Sequence, residues 1–157
     1  MAIEIERKFL LVDDQWREQV LSKSKFCQGY LSLAPERTVR VRVADDRGWL
    51  TIKGKNVGAS RAEFEYEIPV AEAQQMLDQL CEQPIINKWR YRVKFKGHLW
   101  EIDEFLGDNK GLIVAEVELT SEDEEFFRPH WLGHEVTHDH RYFNSNLIDH
   151  PFKEWNQ

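Results

Sequence analysis

The sequence predicts an α+β, mainly β fold, a closed antiparallel eight-stranded β-barrel with helices packed outside, and three observations carry that expectation. About eight segments alternate polar and apolar residues with the two-residue period of a strand, at 2–11, 26–33, 37–44, 48–55, 61–70, 87–96, 99–106 and 112–120. Short turn signals separate several of them, notably Ala34-Pro35-Glu36, Asp45-Asp46-Arg47-Gly48, Lys96-Gly97-His98 and Gly107-Asp108-Asn109-Lys110-Gly111. Connections this short imply antiparallel neighbours. The third observation is that the polar alternates are charged and sorted by sign, strand by strand, whereas a solvated sheet face ordinarily mixes charge with Thr, Ser and Gln.

Taken in order, the first strand places Glu4, Glu6 and Lys8 on one face and Ile3, Ile5 and Phe9 on the other, because strand side chains alternate. Its two carboxylates lie roughly 6–7 Å apart along the strand, a spacing that suits a shared cation. Opposite charge follows in Arg40 and Arg42 and in Lys53 and Lys55; negative charge returns in Glu63, Glu65 and Glu67, in Glu101 and Asp103, and in Glu116 and Glu118. Closing the sheet separates an inner from an outer face. With the charges inside, acidic and basic walls must balance through a bound metal and a bound anion, since burying them unpartnered costs on the order of tens of kcal/mol. The apolar alternates Ile3, Ile5, Phe9, Val39, Val41, Val43, Trp49 and Ile52 then pack outward under the helices. Helices are expected at 14–21, 71–83 and 121–127, the second from the stripe Val70, Met76, Leu77, Leu80 and Cys81 and the third from an acidic first turn after Ser121. From Gly133 onward the chain reads as irregular, tied down by Tyr142, Phe143, Phe152 and Trp155.

A chain of 157 residues with 41% hydrophobic residues fits one domain, 1–157. The formal net charge of -7 argues against a broad nucleic-acid or anionic-membrane surface, since either needs a net basic face. Cys27 and Cys81 stand alone and read as reduced thiols. The chain enters a charged strand directly, without a signal-peptide core, and no apolar run nears the roughly 18 residues of a membrane span, so a soluble cytoplasmic protein is expected. Exposed apolar rims on such a barrel are compatible with a homodimer.

Glu4-Ile5-Glu6-Arg7-Lys8 resembles the ExExK element of the CYTH family, the triphosphate tunnel metalloenzymes. A lone ExExK arises easily by chance, but here it opens an ordered series. Gln28-Gly29-Tyr30-Leu31, Val39-Arg40-Val41-Arg42, Thr51-Ile52-Lys53, the 61–67 run, Lys88-Trp89-Arg90-Tyr91, Glu101-Ile102-Asp103, Glu116-Val117-Glu118 and Asp139-His140-Arg141-Tyr142 follow in the family's order. The series covers essentially the whole chain and is most similar to the short, single-domain bacterial members of inorganic tripolyphosphatase type. The resemblance implies an eight-stranded antiparallel tunnel that binds a triphosphate-containing small molecule with a divalent metal.

The residue chemistry agrees with that implication. A triphosphate carries about four to five negative charges near neutral pH, and Arg and Lys suit its oxygens as bidentate and point-charge partners respectively. Lys8, Arg40, Arg42, Lys53, Arg90 and Arg141 are the candidate substrate-binding cations. Glu4, Glu6, Glu116 and Glu118, with Asp103 as a further candidate, are hard oxygen donors suited to Mg²⁺ or Mn²⁺. Lys88 is the candidate to stabilise the transferred phosphoryl group, and Glu63 and Glu65 to orient water or hold the basic side chains. Lys55, Lys94 and Lys96 read as solvent-exposed and Tyr30 as a packing residue near the tunnel. His134, His138 and His140 lack a regular element and a Cys partner that would make a zinc site. His140 stands where close relatives tend to carry Lys, which weakens one cationic contact at neutral pH.

The expected activity is metal-dependent hydrolysis of a terminal phosphoryl group of inorganic tripolyphosphate. The alternatives are a class IV adenylate cyclase or a nucleoside or thiamine triphosphatase on the same scaffold, and a polyphosphate-binding module without turnover. The first group needs a pocket for an organic moiety, for which no sequence feature stands out; the chain also begins close to ExExK, with little room before it to build one. Intact carboxylates at all four proposed metal positions argue against the last.

Overall fold

Among the described residues nine strands form: β1 (Ile3–Leu11), β2 (Val20–Ser32), β3 (Arg37–Ala44), β4 (Arg47–Gly54), β5 (Ser60–Ile68), β6 (Ile86–Phe95), β7 (His98–Phe105), β8 (Ile113–Glu118) and β9 (Leu132–Glu135). The structure, a computed structural model, describes residues 3–155; residue 2 of the expected first strand and the extremes of the expected 1–157 domain lie outside the described residues. The sheet order is β5-β4-β3-β2-β6-β7-β8-β1-β9, and β5 also pairs with β1. Eight strands therefore close into an antiparallel barrel, as the alternation predicts. The short β9 lies against the far end of β1, with Phe9 opposite Glu135 and Leu11 opposite Leu132. The closing seam is brief: Ile3, Glu4 and Ile5 face Ala62, Arg61 and Ser60.

Three apolar clusters clothe the barrel. The helix α1 (Val70–Gln79) lays Ala73 and Leu77 against Val41 and Cys81, with Val43, Leu50 and Met76 around them. Gly48 permits this approach, because a Cβ there would lie 2.7 Å from that of Ala73. On another flank Phe9, Trp16, Val93, Trp100, Ile102, Val117 and Trp131 form an aromatic-rich cluster. Trp100 meets Phe9, Phe126 and Trp131 edge to face at centroid distances of 5.6–5.9 Å, the geometry that ring quadrupoles favour. At one end of the barrel Tyr30, Ile86, Phe105 and Val114 pack under Tyr142, Leu147, Ile148 and Trp155. The latter come from the C-terminal segment, which carries the short helix α2 (Asn146–Asp149).

Several expectations change. The helix expected at 14–21 is a 3-10 turn at Gln15–Gln19, because β2 begins at Val20, where pairing with Val93 of β6 takes the backbone. The segment 121–127 forms no helix. Glu124 instead accepts from the Thr120 amide at 2.6 Å and hydroxyl at 2.7 Å, while Phe126 caps the Phe9–Trp100 pair. The outward set is only partly covered: Phe9 and Val41 are buried, whereas Ile3 and Ile52 remain exposed. Cys27 and Cys81 are both free thiols. Among the described residues no helix is long and apolar enough to cross a membrane.

Candidate active site

The barrel encloses a cavity of about 270 Å³ whose wall is mostly charged. Lys8, Arg40, Arg42, Lys53, Arg61, Lys88 and Arg90 line it together with Glu4, Glu6, Glu63, Glu65, Glu101, Glu116 and Glu118. Alternation on tilted strands aims these side chains inward while their neighbours build the outer clusters. Pairing brings opposite signs together where Lys8 faces Glu116 and Lys53 faces Glu63 across adjacent strands, and sets two carboxylates side by side where Glu6 faces Glu118.

On one side Lys53 Nζ donates to both oxygens of Glu4, at 2.9 and 3.1 Å, and lies 3.5 Å from Glu63. Burial pushes the Glu4 carboxyl up, but the Lys53 ammonium outweighs it and holds the group below its ordinary value. Glu6 goes the other way: burial first, then the Glu116 and Glu4 charges, push it well above the carboxylate range. The Glu6 carboxyl hydrogen-bonds Glu116, an arrangement that like-charged neighbours favour when one keeps its proton. Burial raises Glu116 too, yet Lys8 at 3.6 Å and Arg90 at 3.3 Å win and lower it to about 2. Glu118 stands exposed on the cavity rim, shifted upward by partial burial and by Glu4 and Glu101.

Deeper in the barrel, Arg90 donates from Nε and Nη2 to the two oxygens of Asp103 at 2.8 and 2.9 Å, and Lys88 Nζ lies 2.8 Å from Asp103 Oδ2. Lys88 and Asp103 are 1% and 0% exposed. Burial drives the Lys88 ammonium down against the pull of Asp103, and Arg90 and Arg42 add to the fall, to about 7. Arg42 is lowered to about 9 by burial and by Arg40 and Arg90. The Phe26 ring lies 4.4 Å from the Arg42 guanidinium and 4.8 Å from that of Arg90. Arg40 donates to Thr51 Oγ1 at 3.2 Å and approaches Glu65 at 3.4 Å, while Thr51 donates to Glu65 at 2.9 Å.

Of the residues singled out from the sequence, Lys8, Arg40, Arg42, Lys53, Lys88, Arg90, Glu4, Glu6, Glu63, Glu65, Glu116 and Glu118 share this cavity. Two do not. Asp103 lies behind the lining with both oxygens taken by Arg90 and Lys88, a counterion for cations rather than a member of the carboxylate group. Arg141 is exposed, forked onto Asp139 at 2.7–3.2 Å and resting over Tyr142 and Trp155 outside the cavity. His140 is likewise exposed and stacks on Phe143 at 4.9 Å. Tyr30 is buried and lines the cavity. Sequence reading missed Arg61 as a lining residue, placed Glu101 in the inward alternation without a site role, and gave no role to Gln28, Thr51 or Asn144. The alternation of Arg61 with Glu63 marks the first; Asn144 leaves no local signal.

Among the described residues no group of three His, Cys, Asp or Glu side chains converges as a ready-made metal site. The donor set nevertheless suits a hard divalent ion. Glu4, Glu6 and Glu116 are mutually repulsive carboxylates, and burial first, then the Glu116 and Glu4 charges, drive Glu6 upward where a bound cation would favour its charged form.

The CYTH domain family profile matches residues 2–149. A curated inorganic triphosphatase of Acetivibrio thermocellus is 49% identical over 100% of both chains. One from Nitrosomonas europaea is 37% identical over 92% of this chain and 95% of its own. A crystal structure described as an inorganic triphosphatase superposes with a TM-score of 0.68 at 35% identity, covering 94% of this chain and 95% of the other.

Proposed function

The chain belongs to the CYTH domain family, and from that premise we propose that it is an inorganic triphosphatase that hydrolyses a terminal phosphoryl group of tripolyphosphate with a divalent cation. The observation that carries this reading is the cavity wall, which sets seven basic against seven acidic side chains. Equal numbers leave no cationic excess to answer the four to five charges of a triphosphate. The basic side can hold the polyanion only if the acidic side holds compensating metal, which is the logic of a metal-triphosphate complex. A volume of about 270 Å³ also falls just below the roughly 300–1,000 Å³ of pockets for drug-sized ligands. It suits a compact anion without an organic group.

Glu4, Glu6, Glu116 and Glu118 would hold the ion, Mg²⁺ or Mn²⁺. Bound there, it would neutralise phosphate oxygens and favour ionisation of the attacking water. The remaining work falls to the chain's own groups. Arg40, Arg42 and Arg90 bind phosphate oxygens, for which their planar forks are suited. Lys8 and Lys53, which rest on Glu116 and Glu4 in this structure, exchange those carboxylates for phosphate as substrate enters. Lys88 donates to the phosphoryl group where charge develops. Glu65 keeps Arg40 in place through Thr51, and Glu63 does the same for Lys53. The unit acts as one domain over 1–157, in the cytoplasm, with exposed apolar rims that permit a homodimer.

The test is phosphate release from tripolyphosphate, ATP, thiamine triphosphate and pyrophosphate in parallel, with Mg²⁺, Mn²⁺ or EDTA, and cyclic AMP measured in the ATP reactions. Preferential, EDTA-sensitive turnover of tripolyphosphate is expected. Conversion of ATP to cyclic AMP, or no turnover of any substrate, overturns the assignment.

A further inference from the structure

The C-terminal segment closes the barrel end where Lys8 and Lys88 emerge, and both lysines donate to it. Lys8 Nζ reaches the Tyr142 carbonyl at 3.1 Å, and Lys88 Nζ reaches Asn144 Oδ1 at 2.8 Å. Asn144 Oδ1 also accepts from Gln28 Nε2 at 3.0 Å, and Gln28 Oε1 accepts from Arg42 Nε at 3.1 Å. Phe143, Asn144 and Ser145 line the cavity, whereas Gln28 is fully buried behind it.

The ends of this relay fix both amides. A guanidinium and a protonated ammonium can only donate. Arg42 Nε therefore demands an oxygen from Gln28, which turns Gln28 Nε2 toward Asn144. Nε2 can only donate as well, so it demands the Asn144 oxygen, and Lys88 demands the same atom from the other side. The flip that is normally a matter of assignment is thus determined twice. With Oδ1 committed to two donors, the amide nitrogen of Asn144 is the polar atom left for the cavity.

We propose that Asn144 is a substrate-binding residue of the tunnel: its Nδ2 donates to an oxygen of the terminal phosphate, while its Oδ1 fixes Lys88 and, through Gln28, Arg42. This rests on the reading of the cavity as a triphosphate site. It extends that reading from the barrel to the C-terminal segment, so that a neutral donor from outside the sheet completes the cationic wall. The fixed relative position of Lys88 and Arg42 follows from the same two amides.

Asn144→Asp separates the two roles, because a carboxylate still accepts from Lys88 and Gln28 but cannot donate to phosphate. Thermal melting should match or exceed that of the unaltered protein. Tripolyphosphate affinity, read calorimetrically in EDTA, and KM with metal should weaken by about ten- to a hundredfold, the worth of one charge-assisted hydrogen bond. Asn144→Ala removes the acceptor as well and should also lower kcat, since Lys88 loses its second anchor. Gln28→Glu puts an oxygen where Nε2 was, so the new carboxylate calls for the Asn144 nitrogen while Lys88 still calls for its oxygen, and this conflict should raise KM from a position that lines no cavity. An Asn144→Asp protein that binds tripolyphosphate within about twofold of the unaltered one overturns the proposal. If Asn144→Asp does not fold, a Gln28→Glu protein with unchanged KM does so instead. Absence of tripolyphosphate binding by the unaltered protein defeats the cavity reading and this inference together, a result distinct from either variant outcome.

Discussion

Replacing Asp103 by Asn tests whether this carboxylate is a counterion for the basic wall or a metal ligand. Three charge-assisted contacts of 2.8–2.9 Å end on it, two from Arg90 and one from Lys88, in a site with 0% exposure. Asn keeps the shape, but it has no charge and turns a donor toward a guanidinium or an ammonium. Removing one partner of a buried pair costs about 3–5 kcal/mol, because the other charge is left unanswered. At a urea slope of about 2 kcal/mol per molar, the unfolding midpoint should fall by about 1.5–2.5 M. A Glu104→Gln control removes the half-exposed pair with Arg17 at 3.1 Å and should cost under about 1 kcal/mol. Manganese affinity of the folded Asp103→Asn protein should stay within about twofold, while turnover falls as Lys88 and Arg90 lose their aim. A midpoint within about 0.5 M of the unaltered protein would refute the counterion role. Loss of manganese binding in a folded variant would return Asp103 to the ligand set.

Three further outcomes follow from the same geometry. Glu6→Gln should abolish metal-dependent phosphate release and weaken manganese binding, because it removes an anionic oxygen donor from a group that burial first, and the Glu116 and Glu4 charges second, already leave short of positive charge; unchanged activity in a phosphate-release assay would sink the metal assignment. Arg40→Ala should chiefly raise KM for tripolyphosphate, by about tenfold or more for one lost charged hydrogen bond, with kcat less affected in steady-state kinetics. Lys88 is depressed from 10.5 to about 7 in the folded chain, so between those values the unfolded chain binds more protons; its contribution to unfolding free energy therefore rises with pH across that window and is lost as pH falls toward 7. Urea titrations from about pH 7 to 10 should show that rise, and Lys88→Met should flatten it.

The inner wall was legible because a closed barrel gives alternation only two destinations, and charge recurring at one parity distinguished them. Arg40, Arg42, Lys53, Glu4, Glu6, Glu116 and Glu118 all reach the cavity for that reason. Alternation, however, gives a face and not a depth. Asp103 shares parity with Glu101 but sits behind the lining, where Arg90 and Lys88 enclose it. Arg141 lies outside the sheet altogether, where parity has no meaning, and Asp139 two residues away takes its guanidinium. The helix expected at 121–127 failed through competition: an acidic run after Ser121 satisfies a helix start, but burial of Phe126 against Phe9 and Trp100 fixes the segment in another shape. Asn144 was the least legible residue. Its partners are 56 and 116 positions away, and its orientation follows from the donor-only chemistry of two cations that the barrel brings to one end. A segment without periodicity can therefore still be specified in detail, provided the sheet beneath it presents donors that accept only one arrangement.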